Sequence, residues 1–145
     1  MIGLVQRVRG ASVRVADEVV GAIETGLLLM VCAERGDATA QAERLVDKVL
    51  ALRIFADERG RMNLDLRQVG GGLLIVSQFT LAAELRGGNR PSFDAAAPYE
   101  TGRALYDEVL RVAHLRHAPV QAGVFGADMA VALVNDGPVT IPIRL

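Results

Sequence analysis

The chain has one cysteine, one lysine, two histidines and no tryptophan among its 145 residues. Each shortage removes a class of chemistry. A lone thiol cannot close a disulfide within the chain or supply a thiolate zinc cluster. Cys32 ends the apolar run Leu27-Leu28-Leu29-Met30-Val31 and reads as a core thiol rather than a nucleophile. Fifteen of the sixteen basic residues are Arg, which leaves amine catalysis with Lys48 alone, and Lys48 falls inside a helical pattern. His114 and His117 are separated by Leu115 and Arg116, with no acidic or cysteine ligand pattern beside them, so no metal is expected. Gly-x-Gly-x-x-Gly and Walker-type loops are missing, and no cofactor is expected.

Aromatic residues make up only 4% of the chain, which argues against a stacking platform for single-stranded RNA. Net charge is -1, from sixteen basic and seventeen acidic residues. A duplex binder carries a basic excess, so any contact with nucleic acid here must be small and local. No apolar run reaches membrane-spanning length, and the start Met1-Ile2-Gly3-Leu4-Val5-Gln6-Arg7 has no signal-peptide core. A cytoplasmic protein without membrane partners is expected.

What is present suits a packed globule. Half the residues (51%) are hydrophobic, and 145 residues fit one domain, 1–145. Val5 to Val15 and Val19 to Ile23 alternate around Ala16-Asp17-Glu18 and predict a hairpin. Leu27 to Cys32 predicts the next strand. Asp37 is a candidate cap for a helix whose apolar positions are Ala38, Ala42, Leu45, Val46, Val49 and Leu52. Short strands follow at Arg53-Ile54-Phe55 and Leu73 to Val76. Pro98 suits the first position of a second helix with Leu105, Tyr106, Val109, Val112 and Ala113 on one face. Val120 to Phe125, Met129 to Val134 and Val139 to Ile143 predict three more strands. The fold class is α+β: a mostly antiparallel sheet with two helices, its seven or so strands enough to curl into a partly closed barrel.

Two strings stand apart. Ser77-Gln78-Phe79-Thr80-Leu81 ends an apolar strand, where side chains begin to reach solvent. Thr80 needs a base to act as a nucleophile, and neither histidine is placed to serve it by sequence. Backbone N–H groups of Phe79 and Thr80, freed at a strand end, are alternative donors for an oxyanion. Asn135-Asp136-Gly137-Pro138-Val139-Thr140 interrupts the last apolar stretch, and Pro138 removes a ladder donor there. This string is either a plain turn or a site where the Gly137 and Pro138 carbonyls face a substrate. Arg7 sits mid-strand, on the solvent face or beneath a polar site. Phe125 and Met129 flank Gly126-Ala127-Asp128 and either sandwich a base or belong to the core. Arg86-Gly87-Gly88-Asn89-Arg90 is a solvated loop or a phosphate grip.

Read together, these strings resemble the D-aminoacyl-tRNA deacylases. The resemblance runs from Gln6-Arg7-Val8 through Leu52-Arg53-Ile54-Phe55, Met62-Asn63, Ser77 to Leu81, Gly88 to Phe93 and Phe125 to Met129, and closes on Leu133 to Thr140. It implies an esterase acting on the acceptor end of aminoacyl-tRNA, as a homodimer with active sites at the interface. Ser77, Gln78, Phe79 and Thr80 would line the pocket for the terminal adenosine. Gly137 and Pro138, joined by a cis peptide, would enter the partner's pocket and reject L-amino acids while D-amino acids and glycine pass. Hydrolysis would lean on the 2′-hydroxyl of the tRNA. Gly87 stands where a Lys is frequent in relatives. Two other readings remain beside this one: a threonine-dependent hydrolase of another acyl substrate, and a non-catalytic RNA-binding module.

Overall fold

The computed structural model describes residues 1–145. In chain order the elements are β1 (Ile2–Val15), β2 (Glu18–Ile23), β3 (Gly26–Cys32), α1 (Thr39–Leu50), β4 (Phe55–Ala56), β5 (Met62–Leu64), β6 (Gly72–Ser77), a 3-10 turn (Phe79–Ala82), α2 (Tyr99–Arg116), β7 (Val120–Ala122) and β8 (Met129–Arg144). The two continuous apolar runs form β3 and β6. Both are buried on both faces along nearly their whole length. They pair in parallel, Leu27 against Leu73 through Val31 against Ser77, and β7 adds in parallel to the far edge of β6. Strands buried on both faces are typical of parallel sheet centres.

The rest of the ladder is antiparallel. β1 pairs with β3 through its first half, with β2 through its second half, and with β8 along its other edge. The sheet curls until β2 comes up against β7: a Cβ on Gly21 would lie 2.7 Å from the Ala122 carbonyl oxygen. The result is a nearly closed barrel with two helices, in keeping with the expected fold class. The apolar faces of α1 (Ala42, Leu45, Val46, Val49, Leu50) and α2 (Leu105, Tyr106, Val109, Val112, Ala113) cover the face of the sheet that carries Val5, Leu27, Leu29, Leu73 and Ile75, while Val8, Val13, Leu28, Leu74 and Val76 cluster on its other face. Arg116 ties the helices together through Asp47 at 2.6 Å.

Several local expectations need correction. Asp37 does not cap α1. Its carboxylate takes the Met1 ammonium at 2.8 Å and the Glu34 N–H at 2.7 Å, and Gln41 Oε1 accepts the Ala38 N–H instead. Pro98 stands one residue before the first residue of α2. The strand expected at Arg53 to Phe55 begins only at Phe55, because Arg53 turns its side chain to Asn63 across the β4–β5 hairpin. β7 ends at Ala122 rather than Phe125. Met129 to Val134 and Val139 to Ile143 are one strand of 16 residues, not two. The Asn135–Pro138 segment is absorbed as an irregularity, matched by register shifts opposite it between Gln6 and Val8 and between Val8 and Gly10.

Candidate active site

Three parallel strands, β3, β6 and β7, end on the same side of the sheet. The crevice outside the carboxyl ends of parallel strands is the usual ligand site of such sheets. A cavity of about 490 Å³ lies there, within the range of small-molecule sites. Val31, Cys32, Ala33, Ser77 and Gln78 form its floor at the ends of β3 and β6. Phe79, in the 3-10 turn, stands together with Phe93 over one side, and Ala96 to Tyr99, α2 and Phe125-Gly126 complete the wall.

The chain has four Phe and two Tyr, and five of these six line the cavity. Phe79 and Phe93 meet edge to face with centroids 5.0 Å apart. Tyr99 and Tyr106 flank Phe125 at 5.3 and 5.6 Å. The scarcity of aromatics in the composition is therefore misleading about stacking, because nearly all of them are gathered at one place. Phe79 is 59% exposed, which leaves ring surface free to meet a flat ligand. Tyr106 donates from its hydroxyl to the Ile75 carbonyl at 2.9 Å, and burial pushes its phenol far above the ordinary range, so it stays neutral.

The polar groups are few. The Gln78 amide donates to the Thr80 hydroxyl, and the Gln78 N–H donates to the Val31 carbonyl at 2.7 Å. Thr80 is exposed and outside the cavity lining. No imidazole approaches it: His117 bonds the Gly71 carbonyl at 2.8 Å, one residue before β6 begins, at the strand end opposite to Ser77. Cys32 lines the floor, but burial raises its thiol pKa, with the Glu34 charge adding to the effect. Its Sγ contacts the Ala33 and Phe79 carbonyls at 3.4 and 3.6 Å. That is the setting of a packed, protonated thiol.

Gly137 and Pro138 are exposed, outside the lining of their own chain's cavity, and the peptide between them is cis. Arg7 lies beneath them with its side chain only 13% exposed, which assigns it to the polar site rather than the solvent face. Its Nε donates to the Asp136 carbonyl at 3.1 Å and pairs with the Asp136 carboxylate at 3.4 Å, and Nη1 donates to the Ile54 carbonyl. Gly137 has φ +128, and a Cβ there would lie 2.9 Å from both Arg7 Nη2 and Val139 Cγ2, so only glycine fits. A second clamp, at Asn135, was not anticipated from the sequence. Asn135 accepts the Val139 N–H at 2.9 Å and donates to the Thr140 hydroxyl at 2.8 Å, bridging the irregular segment end to end. An Asn just before a turn dipeptide was the available signal.

The other expected residues scatter. Phe125 lines the cavity, whereas Met129 packs among Val8, Val13 and Leu74 in a second core cluster. The structure does not bring these two together around a shared ligand space. Asn89 and Arg90 lie in an exposed loop outside the cavity lining. Arg35 is the one cation in the lining, and sequence reasoning missed it.

Fold and site together define a small α+β barrel with an aromatic cavity at its parallel strand ends and a glycine-proline pair presented elsewhere on its surface. The family model described as D-Tyr-tRNA(Tyr) deacylase matches residues 4–144. The D-aminoacyl-tRNA deacylase of Paracidovorax citrulli is 60% identical over 145 residues, covering all of this chain and 94% of that protein. A solved structure described as "c-Myc DNA Unwinding Element Binding Protein" superposes with a TM-score of 0.95 at 36% identity, over 100% of this chain and 99% of that one. Another, of a "probable eukaryotic D-amino acid tRNA deacylase", shares the fold with a TM-score of 0.81 at 18% identity, over 98% of this chain and 97% of that one. The chain belongs to the D-aminoacyl-tRNA deacylase family.

Proposed function

We propose that this protein hydrolyses the ester between a D-amino acid and the terminal ribose of tRNA, with glycyl-tRNA as a second substrate. The observation that carries the reading is the cavity itself: Ser77 and Gln78 sit at a strand end amid five aromatic side chains, Phe79 among them, within a match to the family over residues 4–144. The terminal adenine suits this aromatic enclosure. Water adds to the ester carbonyl carbon, the bond to the ribose oxygen breaks, and that oxygen leaves with the bonding pair and takes up a proton. The N–H groups of Phe79 and Thr80 open a 3-10 turn, where no carbonyl of the same turn reaches them, and are the donors proposed for the carbonyl oxygen. The adjacent 2′-hydroxyl of the substrate assists the departing oxygen, since no protein base is at hand.

Chiral selection is assigned to the Gly137 and Pro138 carbonyls of a second copy. They are exposed, clamped by Arg7 and Asn135, and outside the cavity of their own chain. A homodimer with shared sites follows, working in the cytoplasm on the acceptor end of aminoacyl-tRNA. No helix is long and apolar enough to cross a membrane. The test is deacylation of D-Tyr-tRNA, L-Tyr-tRNA and Gly-tRNA side by side. D-Tyr-tRNA and Gly-tRNA are expected to be cut while L-Tyr-tRNA survives; equal rates on both hands would overturn the fence. Sedimentation should show about twice the 15.5 kDa chain mass, and a fully active monomer would remove the shared site.

A further inference from the structure

The cavity lining contains one cation, Arg35, and nothing in the reaction just described uses it. Arg35 follows β3 in an exposed bend, yet its side chain is anchored. Its backbone N–H donates to the Ala95 carbonyl at 3.0 Å, and its Nε donates to the Asp94 carbonyl at 2.6 Å. Only the inner edge of the guanidinium is consumed by that bond. The terminal Nη1 and Nη2 groups make no hydrogen bond, and Arg35 enters no ion pair. Nearby acids are engaged otherwise. Glu34 holds the Met1 ammonium at 3.2 Å and Arg144 at 2.8 Å, Asp37 holds the same ammonium, and the Asp94 carboxylate accepts from Ser92 at 2.9 Å. Seven of the fifteen arginines pair with a carboxylate, Arg67, Arg111 and Arg116 among them, and eight do not, so what sets Arg35 apart is its place in the cavity lining. Arg35 is fixed at a cavity mouth with two parallel donors unspent.

We propose that Arg35 binds a phosphodiester, the one joined to the 5′ oxygen of the nucleoside that occupies the cavity. A guanidinium pre-oriented through its Nε matches two phosphate oxygens with its remaining donors, which a flexible ammonium does less well. This assignment moves the phosphate contact from the Arg86–Arg90 loop, whose Asn89 and Arg90 stand outside the lining, to the strand end beside Gln78. It also fits the near-neutral charge of the chain: one well-placed cation holds one phosphate, and no broad basic face is needed.

The inference rests on the proposed deacylase reading, and its test separates the two. Wild type, Arg35→Ala and Arg35→Lys are assayed on D-Tyr-tRNA and on D-tyrosyl-adenosine, which carries the same ester and base but no phosphate. If wild-type enzyme cuts neither, the deacylase reading fails. If it cuts both, the ratio of kcat/KM on tRNA to that on the adenosine ester should fall about 10-fold or more in Arg35→Ala, as expected for a charged hydrogen-bonded pair. The loss should lie in KM, with partial recovery in Arg35→Lys and a salt dependence of KM reduced by about one phosphate contact. An equal loss on both substrates would mean that Arg35 merely props the Asp94-Ala95 segment, and no loss on tRNA would mean that it touches no phosphate. Either result overturns the proposal.

Discussion

Replacing Thr80 by Ala separates two accounts of how the ester is cut, and the structure sets the size of the difference. In the nucleophile account, Thr80 Oγ1 bonds to the acyl carbon, and its loss costs on the order of 10⁴-fold or more in kcat. Here the hydroxyl is exposed, outside the cavity lining, and accepts a hydrogen bond from the Gln78 amide, with neither histidine bonded to it and His117 held at the opposite end of β6. Substitution would free that amide to meet water. A solvent-accessible hydrogen bond of this kind contributes roughly 0.5–1.5 kcal/mol, or about 2- to 13-fold. The backbone N–H of residue 80 survives the substitution. Single-turnover deacylation of D-Tyr-tRNA by Thr80→Ala should therefore remain within about 10-fold of wild type. Circular dichroism and melting of the same sample check that the fold persists. A drop beyond about 10⁴-fold in a folded variant would refute the backbone-donor reasoning and restore the threonine nucleophile.

Three further outcomes are expected. A substrate with a 2′-deoxy terminal adenosine should bind but react on the order of 10²-fold more slowly, measured in single turnover; normal turnover would remove the 2′-hydroxyl from the mechanism. Tyr106→Phe deletes the donor to Ile75, whose carbonyl still accepts the Gly123 N–H at 2.9 Å, so the cost in urea unfolding should be only about 1 kcal/mol. Gly26→Ala would drive a Cβ into the Gly72 carbonyl oxygen and to 2.7 Å from the Gly72 nitrogen, backbone atoms of a ladder that cannot rotate away. It should lose about 3 kcal/mol or fail to fold, whereas Gly60→Ala, in open space at φ +74, should lose only about 1 kcal/mol in the same assay.

How far the chain could be read depended on the range of the interactions involved. Helix faces were legible because they repeat locally: the five positions expected to face inward on α2 are its five buried ones. The parallel centre of the sheet was not read, although Leu27–Cys32 and Leu73–Val76 carried its mark in their two-sided apolarity. Which strand pairs with which depends on the α1 crossover and on no local pattern. Asp37 looked like a cap because Asp before a helix usually is one, and a long-range partner, the Met1 ammonium, took its carboxylate. The division of β8 into two strands followed the turn chemistry of Asp136-Gly137-Pro138, which is sound locally and overridden by fourteen residues of β1 running alongside. At the site, Ser77 to Phe79 were readable as a motif, while Arg35 was not. It joins Phe93, Tyr99 and Phe125 only through tertiary packing, and its own neighbours, Glu34 and Gly36, suggest nothing beyond a solvated bend.

The shared strand β1 has a bearing on when this protein becomes functional during its own synthesis. It is made first, and its longest partner, β8, is made after every other element. Pairing of this kind joins residues at maximal sequence separation, which slows folding because loop closure precedes any gain from contact. While β8 is still within or near the ribosome, one whole edge of β1 is an open template for other extended chains. The Asn135–Thr140 segment travels on that last strand, so a nascent chain can hold its aromatic cavity before it holds the Gly137–Pro138 pair. The part of the chain proposed to hold the nucleotide is thus synthesised ahead of the part proposed to discriminate, and a chain truncated within β8 would bear the pocket without the element assigned to tell one hand of a substrate from the other.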